Sequence, residues 1–108
     1  MSYNLITTRV FEKNVKALSK KYPSLKTDLR ALQNELQENP KAGIHLGNDI
    51  YKILLAIKSK AKGKSGGARV ITYVRIVEET VYLLSIYDKS QKANISEALI
   101  KELIKQLG

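Results

Sequence analysis

At 108 residues, 44% of them apolar, the chain suffices for one domain with a modest core and falls short of two. Its 19 Lys and Arg against 10 Asp and Glu leave a net charge of +9, which suits a polyanionic or acidic partner, nucleic acid foremost. The absence of cysteine excludes a disulfide framework, a cysteine zinc site and a thiol nucleophile, and no apolar run approaches the roughly 20 residues of a membrane span.

Tyr3 to Thr8 is a short β-branched and aromatic run and predicts a first strand. From Arg9 the period changes. Phe11, Val15, Leu18 and Tyr22 fall on one helical face, with Lys13, Lys16, Lys20 and Lys21 opposite, until Pro23 ends the helix. Ser24 can cap a second helix, in which Leu25, Leu29, Leu32 and Leu36 repeat the spacing and Asn39-Pro40 closes it. The two make a helix hairpin with an apolar face. Lys41 to Asp49, with Gly43 and Gly47, reads as a turn region. Its His45 is the only histidine; without a second ligand at coordinating spacing it implies no metal, though folded towards the basic loop it could act as a base.

Three further strands are predicted: Ile50 to Lys58, Ala68 to Val77 and Thr80 to Tyr87, the last two joined by a tight turn at Glu78-Glu79. Short connections favour an antiparallel meander. Tyr51, Ile53, Leu55 and Ile57 give the first of these strands an apolar face, and Val70, Thr72, Val74 and Ile76 do the same for the second. If those faces pack on the helix hairpin, the other side of the sheet collects Lys52, Lys58, Arg69, Tyr73, Arg75, Tyr87 and, just past the strand end, Lys89. Between Asp49 and Glu78 there is no acidic residue, and the seven basic ones are Lys52, Lys58, Lys60, Lys62, Lys64, Arg69 and Arg75. Lysines interleaved with Gly63, Gly66 and Gly67 could follow a phosphodiester chain, but the spacing is not that of a nucleotide-binding P-loop. A last helix is capped by Ser96, with Ile95 and Ile100 placed as a hydrophobic staple and an apolar stripe of Leu99, Ile100, Leu103, Ile104 and Leu107.

KGKSGGARVITY, followed some ten residues later by YLLSIYDK, resembles the RelE/ParE toxin superfamily, and within it the HigB-like branch of RelE-type toxins. The resemblance implies an α+β fold of order β-α-α-β-β-β-α, an antiparallel twisted sheet with a helix hairpin on one face and a C-terminal helix, in a single domain over residues 1–108. It implies a cytoplasmic toxin of a type II toxin–antitoxin system. Such toxins are ribosome-dependent mRNA endonucleases that cut the codon in the A site, need no metal or other cofactor, and are silenced by a cognate antitoxin. They have no membrane partner. The family carries its site on the concave sheet face, which here places Lys58, Lys60, Lys62 and Lys64, then Arg69, then Tyr87 and Lys89. Some members use histidines that this chain lacks.

RNA supplies its own nucleophile, the 2′-OH. The protein must accept its proton, stabilise the phosphorane and protonate the 5′-oxygen. Arg69 suits the transition-state charge. Lys89 or Lys60, crowded by like charges, suits the acid or base work. Tyr87 suits orientation or stacking, its phenol being a weak base, and Asp88 is expected to point away and pair with a base. Lys52, Lys58, Lys62, Lys64, Tyr73 and Arg75 would hold the RNA. Two other readings stand beside it: a ParE-like poison of DNA gyrase, of the same fold but another target, against which the lysine loop argues, and a non-catalytic RNA-binding module that uses the same basic face.

Overall fold

The computed structural model describes residues 2–60 and 63–107, apart from the side chain of Ser65. The order is β1 (Asn4–Thr7), α1 (Arg9–Lys21), α2 (Leu25–Glu38), β2 (Ile44–Gly47), β3 (Ile50–Leu55), β4 (Ala68–Arg75), β5 (Thr80–Asp88) and α3 (Glu97–Lys105). Single 3₁₀ turns occupy Lys58–Lys60 and Lys64–Gly66.

The helix hairpin forms as its periodicity dictates. Thr8 caps α1: its Oγ1 accepts the Phe11 N–H at 3.1 Å and donates to the Leu84 carbonyl at 3.0 Å, so the cap also pins the helix to the sheet. Phe11, Leu18, Tyr22, Leu25, Leu29, Leu32 and Leu36 are all buried against one sheet face. Ser24 precedes α2 as expected but does not cap it; its hydroxyl bonds Asp28 at 2.8 Å and Ser59 at 2.9 Å instead, tying the helix start to the loop after β3.

The sheet runs β1-β5-β4-β3-β2. Two features depart from the expected antiparallel meander. First, β1 pairs with β5 in parallel: the helix hairpin carries the chain from β1 at one edge of the sheet to β2 at the other, and the antiparallel run β2-β3-β4-β5 brings β5 alongside β1 in the same direction. Second, the predicted turn region contains β2, an edge strand antiparallel to β3. Its side chains are nearly all exposed, so no apolar alternation betrays it. Gly43 is what lets it dock: its φ is +101°, and a Cβ there would stand 2.6 Å from the Lys52 carbonyl oxygen.

The strand boundaries also shift. β3 stops at Leu55 instead of Lys58, β4 stops at Arg75 instead of Val77, and Ile76 to Glu79 form the turn, with Val77 99% exposed. A bulge interrupts β5: Ile71 pairs with Ser85 but Thr72 pairs with Leu83, so Leu84 is the extra residue. The bulge changes the parity of β5. Val81, Leu83 and Ile86 face the hairpin core, whereas Leu84 and Tyr87 face the other side. That other side is not open. α3, capped by the Ser96 hydroxyl on the Leu99 N–H, lays Ile100 and Leu103 over Ile50, Ile71, Leu84 and Tyr87.

Candidate active site

Residues directly opposite across antiparallel strands share a face. Leu54, Arg69 and Tyr87 therefore form one row across β3, β4 and β5, and Ile50, Tyr73 and Tyr82 form another. Lys52 lies between them beside Ile71. Both rows are on the α3 side. Leu55, Ala68 and Asp88 form a row on the hairpin side.

Arg69 is placed by the close return of the loop. A Cβ on Gly67 would lie 2.0 Å from the Leu55 carbonyl oxygen, so only glycine lets the chain enter β4 there. Arg69 is 6% exposed, and its guanidinium donates to the carbonyls of Lys64 at 2.9 Å and Ala68 at 3.2 Å. Opposite it, Tyr87 is 7% exposed and its buried hydroxyl has no hydrogen-bond partner among the described residues. Burial pushes the phenol up, partly opposed by the charge of Arg69, which makes Tyr87 a poor base near neutral pH. The Lys92 ammonium lies 5.6 Å from the centre of its ring. Lys89 is exposed, and its N–H donates to the Gly67 carbonyl at 3.1 Å, extending the β4–β5 ladder by one residue; alternation puts its side chain on the Tyr87 face.

Lys52 is half-buried. With Leu46, Ile50, Tyr87, Ile95 and Ile100 it lines a cleft of about 300 Å³ between β3 and α3. At the far end of the sheet Arg75 covers the rings of Tyr73 and Tyr82, at 5.6 and 5.3 Å, and pairs with Glu78 at 3.6 Å. It is thus distant in register from Arg69, six residue pairs along β4.

The loop lysines separate. Lys58 sits in a 3₁₀ turn, not on β3; it is exposed while its N–H donates to the Asp28 carboxylate at 3.1 Å. Lys60 lies on the hairpin side, its Nζ 2.7 Å from Asp88 Oδ1, 3.2 Å from the Ser90 hydroxyl and 5.5 Å from the centre of the Tyr22 ring. Lys62 falls outside the described residues. Lys64 is exposed, near Lys58 on a second cleft between α2 and β3, with Gly43 and Ile44 on its rim. The expected cluster thus resolves into Arg69, Tyr87, Lys89 and Lys52 on one face, with Lys60 behind it.

Sequence reasoning took Tyr22 as core and left Ser90 and Lys92 aside. In the fold the Tyr22 hydroxyl donates to Asp88 Oδ2 at 2.6 Å, and the Ser90 N–H and hydroxyl donate to Oδ1 at 2.9 and 2.7 Å. Burial alone would raise the Asp88 carboxyl, but the hydrogen bonds from Lys60, Tyr22 and Ser90 prevail and hold it well below the usual carboxylate range. The hydrogen bond to Asp88 in turn raises Lys60, against the effect of its own burial. Asp88 does pair with a base, as expected, and that base is Lys60. His45 stacks on Tyr51 at 4.9 Å, and no group of His, Asp and Glu among the described residues could hold a metal ion.

A family model described as the RelE toxin of the RelE/RelB toxin–antitoxin system matches residues 5–107. The chain belongs to the RelE toxin family. Among solved structures, this RelE-family chain is similar to a double arginine-to-alanine mutant of the E. coli toxin RelE in the free state (TM-score 0.63, 21% identity, 100% of both chains covered). It is also similar to a chain of the intact E. coli RelBE toxin–antitoxin complex (0.62, 21%, 81% of this chain and 96% of that one). A metal-bound toxin from Helicobacter pylori is a more distant likeness (0.51, 17%, 83% and 98%). At these identities the structures speak to the fold. No helix of the described residues is long and apolar enough to cross a membrane.

Proposed function

We propose that this RelE-family toxin is a ribosome-dependent, metal-independent mRNA endonuclease that acts in the cytoplasm, cuts the codon in the A site and is silenced by a cognate antitoxin. The observation that carries the reading is the row of Arg69 and Tyr87 with Lys89 one step beyond, a fixed guanidinium and a solvent-exposed ammonium on one sheet face. Arg69 would stabilise the charge added to the phosphorane, because a donor held by its own hydrogen bonds needs no reorganisation as charge develops. Lys89, exposed past the end of β5, would exchange protons with the reacting oxygens. Tyr87 would orient the RNA, and Lys52, Tyr73 and Arg75 with the exposed Lys58 and Lys64, and with Lys62, would hold its backbone. Lys60, engaged by Asp88, would serve the site indirectly. Such a site offers little acid–base power of its own. That suits a reaction in which the ribosome holds the RNA in line, since positioning alone is worth up to ~7–11 kcal/mol of barrier.

An antitoxin that neutralises a +9 chain would carry acidic or apolar segments. The E. coli RelBE complex is the precedent for such a pairing. The deciding experiment adds purified protein to a translating extract and maps mRNA ends by primer extension. Cuts within A-site codons that vanish when ribosomes are withheld are expected. Intact mRNA with ribosomes still bound would leave a binding module, and arrested supercoiling before arrested translation would move the target to gyrase.

A further inference from the structure

The turn after β5 is built on one side chain that the reaction scheme does not use. Asp88 is 1% exposed and lies on the hairpin side of the strand end, opposite Ala68. Its Oδ1 accepts from Lys60 Nζ and from the N–H and hydroxyl of Ser90; its Oδ2 accepts from Tyr22. Its backbone carbonyl accepts from the N–H groups of Gln91 and Lys92, at 3.0 and 3.1 Å. One residue thus shapes the whole turn from Lys89 to Lys92. The same turn sends the Lys89 N–H to Gly67, at the root of the strand that carries Arg69, and brings Lys92 over the Tyr87 ring.

We propose that Asp88 is the positioning residue of this site: it acts through Lys89, holding the turn that sets this lysine beside Arg69, and it keeps Lys60 on the opposite side of the sheet as its counter-ion. The two lysines that sequence leaves interchangeable then have different duties. A carboxylate this close to a phosphate site would repel the substrate if it stood open. Buried and ion-paired, it presents no net negative charge to the RNA while its hydrogen bonds fix the turn. The anchoring extends to the loop root, where Ser59 and the Lys58 N–H are bonded to Ser24 and Asp28 of the hairpin.

This inference rests on the endonuclease reading, and its test separates the two. Cleavage by the purified chain is followed on mRNA-programmed ribosomes in single turnover. Asp88→Ala is made together with Lys60→Met, so that neither partner remains as a lone buried charge, and its fold is checked by thermal unfolding. At saturating ribosomes the rate is expected to fall roughly 10–100-fold with ribosome affinity unchanged. Once Lys89→Ala is present, adding the double change should slow cleavage no further. Losses that multiply, or a folded double variant with the full rate, would overturn the proposal. Should that variant not fold, Ser90→Ala takes its place; it removes one hydroxyl bond and leaves the ion pair, and its loss should likewise disappear in the Lys89→Ala background. A wild-type chain that cuts no mRNA removes the endonuclease reading instead. Asp88 is then judged by binding of a 2′-deoxy trinucleotide: Lys89→Ala and the double variant weaken it equally if Asp88 positions Lys89, and only Lys89→Ala weakens it if not.

Discussion

Arg69 and Tyr87 stand directly opposite each other across β4 and β5, both almost wholly buried, on the sheet face that α3 partly covers. This pairing makes Arg69 a preset group, since its guanidinium is already bonded to the Lys64 and Ala68 carbonyls. Arg69→Ala should lower cleavage about 10²–10³-fold, the usual loss for a preorganised transition-state donor. Growth arrest and primer extension report the loss, and an unchanged circular dichroism spectrum would place it in the chemistry. A fully toxic variant would sink the assignment.

Tyr87 allows a finer cut. Its hydroxyl is buried with no partner among the described residues, a state that costs ~1–3 kcal/mol relative to a satisfied or absent group. Tyr87→Phe should therefore raise the thermal midpoint or leave it in place, with the ring contacts to Ile50, Ile71 and Leu84 kept. If Tyr87 serves through its ring, the cleavage rate is also preserved. A stable but inactive Tyr87→Phe would show that the phenol itself meets the RNA.

The Asp88–Lys60 pair makes a pH prediction. The Asp88 carboxyl is held below its ordinary value, so its contribution is fully present above the unfolded value of about 3.9 and is lost as pH falls through the folded one. Lys60 is raised, so its contribution is fully present below about 10.4 and is lost only as pH rises beyond that. Near neutrality both are in place. Urea denaturation from roughly pH 7 down to pH 3 should show wild-type stability dropping more steeply below about pH 4 than that of Asp88→Asn, which has no carboxylate to protonate. Parallel curves would mean that Asp88 is not held in this state.

The helix hairpin was legible because Leu25, Leu29, Leu32 and Leu36 repeat at helical spacing and all four are buried. The face carrying Arg69 and Lys52 was legible because alternation along β3 and β4 holds throughout their pairing. Along β5 it was not. The run Val81 to Tyr87 is buried on both faces, so nothing in its composition signals that Leu84 is an extra residue. β2 was missed for the opposite reason: Ile44, His45 and Leu46 are all exposed, and the strand is held by backbone pairing with the stacking of His45 on Tyr51. The Lys60–Asp88 bond joins residues 28 apart and had no local signature. Four alternating lysines, Lys58, Lys60, Lys62 and Lys64, read alike, and only the turn at Lys58–Lys60 decides that Lys60 points to the hairpin side.

Gly67 stands where the basic loop becomes β4. The residue's φ is −87°, outside the left-handed region that favours glycine. The constraint is space: a Cβ would fall 2.0 Å from the Leu55 carbonyl oxygen and 3.1 Å from Ala56 Cα, both of them backbone that no rotamer change can clear. Gly67→Ala must therefore push β3 and β4 apart at the Leu55–Ala68 pair, or lift the loop off the sheet. Overpacking of this kind typically costs ~1–3 kcal/mol, which urea denaturation would register as a lower midpoint. Because the Gly67 carbonyl also receives the Lys89 N–H, the same displacement moves Lys89 and Arg69 together. Cleavage should accordingly fall further than the lost stability accounts for, even at temperatures where the variant is fully folded. A variant with a lowered midpoint but an unchanged rate would show that Arg69 and Lys89 do not depend on their shared anchorage at this residue.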